Sequence, residues 1–190
     1  MKFHSLLFLI IPFGFLSFNR CESSKKILVT TDQYKDIILS RPLDSTEHFV
    51  FKKQVRLLPG KKMIIKADRT NKMYTELANN KDHVVLVISF IRKARKNIAD
   101  GNMEYSVYFN LPSPIPSRTW KDSELEDLQA VSAFYAFHPQ SGVKKLKQGY
   151  LKVEVHSKYK TLQIDFQSDE VDKNLNGTYT IDLKKFARAN

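Results

Sequence analysis

Apolar and polar residues alternate along three segments of the stretch YLKVEVHSKYKTLQIDFQSDEVDKNLNGTYTIDL, residues 150–183. The three segments are 151–156, 161–167 and 178–183. Alternation with a period of two is typical of β-strands that bury one face and expose the other. Turn-forming residues separate the segments at 157–160 and 169–177. The stretch therefore predicts a meander of three antiparallel strands.

Further strands are predicted upstream of this meander. They are 48–58, 62–67, 83–92, 103–111 and 130–137. Pro59-Gly60 separates the first two and predicts a turn between them. The run from His83 to Arg92 has apolar residues at both odd and even positions. This pattern is typical of a central strand buried on both faces or of a strand under a helix.

Helical patterns are few. Thr31–Leu39 and Thr70–Asn79 each fit a short helix, and Ser123–Leu128 fits one turn capped by Asp122 or Ser123. We therefore expect a mainly β protein, an antiparallel β-sandwich or barrel of about eight strands with one or two short helices. An α+β fold with a helix packed on one sheet is the competing interpretation.

The chain has 190 residues, of which 42% are hydrophobic, and a formal net charge of +11. This length and composition suit one domain with a substantial core. Cys21 is the single cysteine. The chain therefore cannot form an internal disulfide framework or a zinc site with several cysteines.

The N-terminus resembles an export signal. Lys2 precedes an apolar run at Leu6–Phe18, and this run of about 13 residues is shorter than a membrane-spanning helix requires. A buried N-terminal helix or an uncleaved anchor is the alternative, which Pro12 and Gly14 disfavour. We expect an export signal at 1–21, a polar tether at 22–26 and a single β-rich domain at 27–190.

Cys21 follows the apolar run directly and is a candidate for lipidation as in bacterial lipoproteins. Arg20, immediately before it, departs from the small residues usual at that position, so ordinary cleavage near residues 21–24 is the alternative. Without Lys2 and Arg20 the basic residues fall from 31 to 29 against 20 acidic ones, a net charge of +9. The expected locations are the periplasm, the outer membrane through a lipid anchor, or the extracellular space.

Patterns typical of enzymes are missing from the sequence. It has no G-x-S-x-G elbow, no H-E-x-x-H spacing and no glycine-rich phosphate loop. Four oxygen-bearing residues crowd one loop, but their order does not match an EF-hand. They are Asp169, Glu170, Asp172 and Asn174. We therefore predict no catalytic residue, no metal ligand and no cofactor.

Basic residues form the most conspicuous polar feature. The cluster Arg92, Lys93, Arg95 and Lys96 is the densest of them. Behind an export signal, an anionic lipid or glycan is a better partner for such a cluster than nucleic acid, which we do not expect. The competing interpretation is that dispersed lysines keep strand edges soluble.

Trp120 is a further binding candidate because it follows three alternating prolines. These prolines, at 112, 114 and 116, predict a stiff, extended loop. Such a loop could present Trp120 at its tip for binding. A crossover at the edge of the sandwich that places Trp120 in the core fits the sequence equally well.

The C-terminal meander resembles the closing strands of small exported lipoproteins of Bacteroidetes. The resemblance rests on Gly149–Val153, Leu162–Phe166 and Asn176–Ile181, together with the signal and the cysteine after it. It implies a compact β-sandwich and an envelope location, and it carries no known activity. Arg20 is where this chain departs from the signal of those proteins.

Together these features predict a non-enzymatic, exported binding protein of the cell envelope, whose partner is an anionic lipid or glycan or another protein. Membrane contact is expected only through a lipid anchor. An envelope-polymer hydrolase is the first alternative, with carboxylates such as Glu104, Asp165 or Asp182 brought together in space. A structural subunit of an envelope complex, recognised by a large exposed apolar patch, is the second.

Overall fold

A computed structural model describes residues 37–43, 46, 49–95, 101–136 and 141–185. The predicted export signal, Cys21, the tether and Lys96 lie outside the described residues. The described part contains ten strands: β1 (Ile37–Pro42), β2 (Phe49–Ala67), β3 (Met73–Ala94), β4 (Met103–Pro112), β5 (Arg118–Lys121), β6 (Val131–Ala136), β7 (Gly142–Lys145), β8 (Tyr150–His156), β9 (Thr161–Gln167) and β10 (Gly177–Asp182). Three short 3₁₀ helices accompany them, at Asp122–Glu126, Lys173–Leu175 and Leu183–Lys185.

The strands form two antiparallel sheets. The first has six strands in the order β1-β2-β3-β4-β6-β7, and the second has four in the order β10-β9-β8-β5. The sheets are open and do not close into a barrel, so of the two predicted architectures the structure is the sandwich. The predicted C-terminal meander is confirmed as β8, β9 and β10. Three short strands that the sequence did not reveal are β1, β5 and β7, and the predicted strands 48–58 and 62–67 are one strand, β2, so the number is ten in place of about eight.

The inner faces of the two sheets pack on each other to form the main core. In β3 the inward side chains include Val84, Leu86 and Ile88, all fully buried. Phe109 of the first sheet meets Phe166 of the second edge to face, with ring centroids 5.4 Å apart. Aromatic pairs in this geometry stabilise a core beyond the area that they bury.

The outer face of the first sheet is also buried in part, as predicted for 83–92. Val85 and Val87 are fully buried on this face, within a second apolar cluster. The cover comes from the distal part of the β2–β3 hairpin, residues 61–79, which we call the arm. Met63 of the arm is fully buried in the same cluster, and its N–H donates to Asn110 Oδ1 of β4 at 2.7 Å.

The prediction of a turn at Pro59-Gly60 is wrong. Strand β2 continues through both residues and pairs with β3 on either side of them, with a shift of register between Pro59 and Lys61. Gly60 has φ of +67°, a conformation that glycine adopts without steric cost. A β-bulge at this point bends the strand, and this bend directs the arm back over the sheet.

The predicted helix at Thr70–Asn79 is also wrong, because residues from Met73 onward belong to β3. The true reversal lies just before it, where Asp68 Oδ1 accepts from the N–H groups of Thr70 and Lys72 at 2.7 and 2.9 Å. A carboxylate that bonds to the backbone two and four residues on favours a turn over a helix. Of the helix predicted at Thr31–Leu39, the described residues 37–39 form part of β1.

The single helical turn predicted at Ser123–Leu128 is confirmed as the 3₁₀ helix Asp122–Glu126. Its predicted cap is wrong. Lys121 is the N-cap, and its N–H donates to Glu124 Oε2 at 3.0 Å. Asp122 instead accepts a hydrogen bond from the N–H of Gly149 at 3.0 Å, which connects the turn to the start of β8.

Candidate functional site at the open end of the sandwich

The first sheet has a row of half-buried side chains at one end, which we call the open end. Strands β1, β3 and β6 end there, and their antiparallel partners β2, β4 and β7 begin there. From the second sheet, the loop 168–176 reaches this end, and Leu175 from it is buried in the main core. Clefts between the inner face of the first sheet and this loop are the concave features around which the site is built.

An aromatic row crosses the inner face at the open end, formed by Phe90, Tyr105 and Phe134. These residues occupy neighbouring positions on β3, β4 and β6. The rings of Tyr105 and Phe134 stack with centroids 4.3 Å apart, and Phe51 of β2 stacks on Phe90 at 6.0 Å. The row gives the open end a continuous apolar floor, in which Phe90 is buried and Tyr105 and Phe134 are half-buried.

Two cations extend the same cross-strand row toward the β1 edge. Arg41 pairs in register with Lys53, and Lys53 pairs with Phe90. The Lys53 ammonium donates to the carbonyl of Asn176 at 3.2 Å and lies 5.4 Å from the ring centroid of Tyr179. Burial lowers the pKa of Lys53 and the neighbouring Arg41 lowers it further, while Asp172 acts in the opposite direction. Partly buried Lys53 and exposed Arg41 thus lie side by side in spite of their repulsion. We call the region of Arg41, Lys53 and nearby Arg92 the basic corner.

Arg92, from the predicted basic cluster, joins this site. It follows Phe90 on the same face of β3, its Nε donates to the carbonyl of Gly101 at 3.2 Å, and its guanidinium lies 4.7 Å from the ring centroid of Phe49. Lys93 is exposed and points to the opposite face, and Arg95 is exposed just after the strand. The three described members of the cluster are therefore divided, with Arg92 inside the open end and the other two at its margin.

Trp120 does not belong to the site. It lies on β5 in the second sheet, is 2% exposed and is part of the main core. The guanidinium of Arg118 lies 5.4 Å from its ring centroid. Of the two interpretations of this residue, the structure therefore shows the crossover that places it in the core, and the proposed display at a loop tip is wrong.

Arg41, Lys53 and Arg92 share an unusual feature. Within the part of the chain that the structure describes, none of the three makes an ion pair or a hydrogen bond to a carboxylate. Lys53 and Arg92 instead contact backbone carbonyls and aromatic rings. Lys53 and Arg92 are partly buried, and partly buried cations normally have an anionic partner, so this corner has the electrostatic character of an anion-binding site.

Two clefts adjoin the aromatic row, and their volumes are within the range of ligand-binding pockets. One, of about 630 Å³, lies beside Arg41, Phe51 and Phe90. The other, of about 500 Å³, lies between the stacked pair of Tyr105 and Phe134 and the loop 168–176. The row thus connects a cleft that contains Arg41 with one whose lining is both apolar and polar.

The acidic residues of the loop 168–176 hold its backbone in place. Glu170 Oε2 accepts from the N–H groups of Lys147 and Gln148 at 2.6 and 3.0 Å, and Asp172 Oδ1 accepts from the N–H of Asn174 at 2.8 Å. Among the described residues there is no group of three or more His, Cys, Asp or Glu side chains that could hold a metal ion. These carboxylates therefore have structural roles that the sequence did not reveal.

The carboxylates considered for a hydrolase are not brought together. Glu104 is on the outer face of the first sheet, where it accepts from Ser89 and Ser106 at 2.9 and 2.6 Å. Asp165 and Asp182 lie on the solvent face of the second sheet. Asp165 pairs with a residue four positions along β10 from Asp182, which places their Cα atoms about 14 Å apart.

Sequence reasoning missed Arg41, Lys53 and the aromatic row. A signal existed in β2, where Phe49, Phe51 and Lys53 share the parity of buried Val55. Among the described residues no helix is both long and apolar enough to cross a membrane. Comparison with protein-family models, curated proteins and solved structures finds no match to this chain.

Proposed function

We propose that this chain is an exported, non-enzymatic binding protein of the cell envelope that holds an anionic lipid at the open end of its sandwich. The observation that carries the proposal is the corner of Arg41, Lys53 and Arg92, three cations without a carboxylate partner in the described part of the chain. The acid group of the ligand would bind to this corner. Its apolar part would lie along the aromatic row.

The chemistry of the open end favours a lipid over a glycan. A polyanionic glycan is attracted to cations, but it has no large apolar surface to place on Phe51, Phe90 and Tyr105. An amphipathic anion satisfies both halves of the site, since apolar burial and ion pairing each contribute to binding. Lys93 and Arg95 at the margin are suited to contact neighbouring headgroups, at about 1 kcal/mol for each cation near an anionic surface.

Export and anchoring belong to the same proposal and rest on the N-terminal sequence. Mass spectrometry of the mature protein tests them. An acylated Cys21 would support a lipid anchor, a start within residues 22–25 would support cleavage without an anchor, and an intact N-terminus would contradict export.

Cosedimentation with vesicles tests the binding site. We expect the protein to bind phosphatidylcholine vesicles that contain phosphatidylglycerol, and to bind pure phosphatidylcholine weakly. The double variant Arg41→Gln, Lys53→Gln should lose about fivefold in affinity for each cation removed. The matched control is Lys184→Gln, Lys185→Gln, which removes the same charge beyond the far end of β10.

A second pair of variants separates a lipid from a glycan. Phe49→Ser removes an aromatic ring at the open end, and Tyr159→Ser removes an exposed ring from the opposite end. Only the first should weaken binding to vesicles. The proposal would be contradicted if both double charge variants lost the same affinity for vesicles. It would also be contradicted if the protein bound dextran sulfate as tightly as vesicles and Phe49→Ser did not change that binding.

A hydrolase is less well supported. The two carboxylates that line the cleft near Tyr105, Glu170 and Asp172, each accept backbone N–H bonds that hold the loop. Both carboxylates are thus engaged in holding the backbone of the loop, whereas a glycosidase needs two carboxyl groups free to act on the substrate.

A further inference from the structure

Strand β10 forms one edge of the second sheet, and its outward backbone groups can be identified. Leu183 donates its N–H to the carbonyl of Lys160 at 2.8 Å, one position beyond the register pair Asp182–Thr161. Bonded and non-bonded pairs alternate along an antiparallel ladder. The N–H and C=O groups of Thr178, Thr180 and Asp182 therefore point away from β9, and no strand of the described part pairs with them.

The other sheet edges carry features that discourage pairing. In β1 the N–H of Leu43 donates to the carbonyl of Phe51. The same alternation then places the backbone of Pro42 on the outward side of the strand. Proline has no N–H to donate there. Strands β5 and β7 are four residues each, and β7 presents exposed Lys144 and Lys145. Six-residue β10 contains neither proline nor lysine, so it is the edge best suited to accept another strand.

A groove of about 390 Å³ runs beside this edge, between β10 and β1. Its walls include Leu39, Val55 and Tyr179, which are apolar, and the cations Arg41 and Lys53. A strand added to β10 would direct every second side chain into this groove. Apolar side chains there would meet Leu39 and Tyr179, and acidic ones would meet the two cations.

We propose that β10 accepts an extended, acidic segment of a partner protein as an additional strand, with alternate side chains in the groove. Main-chain bonds supply the affinity and the groove supplies the preference for acidic residues, as in other cases of strand addition. A second copy of this chain fits less well. Two copies joined through β10 would bring Arg41 and Lys53 of one groove toward the same cations of the other.

Synthetic peptides of about seven residues, the length of a typical strand, test the proposal by calorimetry. The main probe alternates valine with glutamate, the second carries lysine in place of glutamate, and the third is the first probe with N-methyl groups on alternate residues. We expect binding of the glutamate peptide alone. N-methylation removes the main-chain donors, so a methylated peptide that binds equally well would overturn strand addition.

Variants of the protein test the same inference from the other side. Thr180→Pro removes an outward N–H without removing a bond to β9, and should weaken the glutamate peptide about tenfold. Thr180→Val keeps that N–H and is the matched control. Equal affinity of Thr180→Pro and Thr180→Val would overturn the assignment to β10. So would dimerisation through this edge, seen by analytical ultracentrifugation of the wild-type protein and lost in Thr180→Pro.

This inference and the proposed lipid binding can fail separately. Thr180→Pro should leave binding to phosphatidylglycerol vesicles unchanged, because it alters neither a cation nor the aromatic row. Lys93→Gln with Arg95→Gln should weaken binding to vesicles and leave the glutamate peptide unaffected, because neither residue lines the groove. Arg41 and Lys53 contribute to both activities, so only variants outside that pair separate them. Loss of both activities in Thr180→Pro, with the fold retained, would contradict that separation.

Discussion

At Gly149 the absence of a side chain allows two parts of the second sheet to approach closely. A Cβ atom at this position would lie 2.4 Å from the carbonyl oxygen of Gln167 and 2.7 Å from Cβ of Ser168. Its φ of +124° is also a conformation that residues with side chains rarely adopt. Asp122 accepts a hydrogen bond from the N–H of Gly149, and the Ser168 hydroxyl donates to the carbonyl of Gln148. The residue thus permits the junction between the start of β8 and the end of β9.

Gly149→Ala should therefore destabilise the protein by about 2 kcal/mol or more, because neither backbone contact can move aside cheaply. Urea denaturation measures the loss. Gly177→Ala is the matched control, since its φ of +134° is similar but no atom lies within 4 Å of the added Cβ. If both variants lost the same free energy of unfolding, backbone conformation and not the close approach would be the cause.

At the scale of elements, the arm shows how one polar side chain docks a hairpin on a sheet. Asn110 of β4 is 4% exposed and accepts from the N–H of Met63. Its amide donates to the carbonyl of Met63 at 3.0 Å and to Gln129 at 2.7 Å. All the hydrogen-bonding groups at this buried contact are thereby satisfied, as buried polar groups require.

Replacing Asn110 with alanine should cost about 2 to 4 kcal/mol of folding stability, because it leaves the N–H and C=O of Met63 buried without partners. Hydrogen exchange should also accelerate across residues 61–79, while protection in β8 and β9 persists. Asn79→Ala is the control, since the side chain of Asn79 bonds only to the exposed ammonium of Lys61 among the described residues. Unchanged exchange in the arm would show that apolar contacts alone hold it.

The sequence predicted the strands that have the same surroundings along the whole of each face. Strands β8 and β9 have one core face and one solvent face, so alternation alone identifies them. Residues 73–79 were not predicted as a strand, because Glu76, Leu77 and Ala78 favour helix locally. Their conformation is determined by pairing with β2. The Pro59-Gly60 pair by itself predicts a turn, and only the register of β2 with β3 on both sides shows that it forms a bulge.

The candidate site was less predictable than the fold because it depends on register among five strands. Arg41, Lys53, Phe90, Tyr105 and Phe134 come from separate strands and are far apart in sequence. Nothing in their local sequence fixes which residues stand opposite each other. Arg92 was the part that could be found, because its cluster is contiguous in the chain.

At the scale of the whole molecule, the two ends of the sandwich differ in what they leave open. Between the sheets the core is continuous, and it includes the fully buried Phe109 and Phe166. At the open end the same inner face continues into half-buried aromatics and cations. A binding surface of this kind requires a rigid support, which the sandwich supplies only if its two sheets fold as one unit.

We therefore expect Phe109 and Phe166 to be coupled across the sheets. Each single replacement by alanine should cost about 3 to 5 kcal/mol, and a double-mutant cycle should give a coupling of about 0.5 to 1.5 kcal/mol for their edge-to-face contact. Milder replacements by leucine keep the cycle measurable if the alanine variants do not fold.

Trp120 allows the cooperativity to be measured directly, since it is the single tryptophan and is buried in the second sheet. Urea unfolding followed by its fluorescence should coincide with unfolding followed by far-ultraviolet circular dichroism, which reports on both sheets. An earlier fluorescence transition would mean that the second sheet separates first. The inner face that carries the aromatic row would then not be held in the geometry that the proposed binding requires.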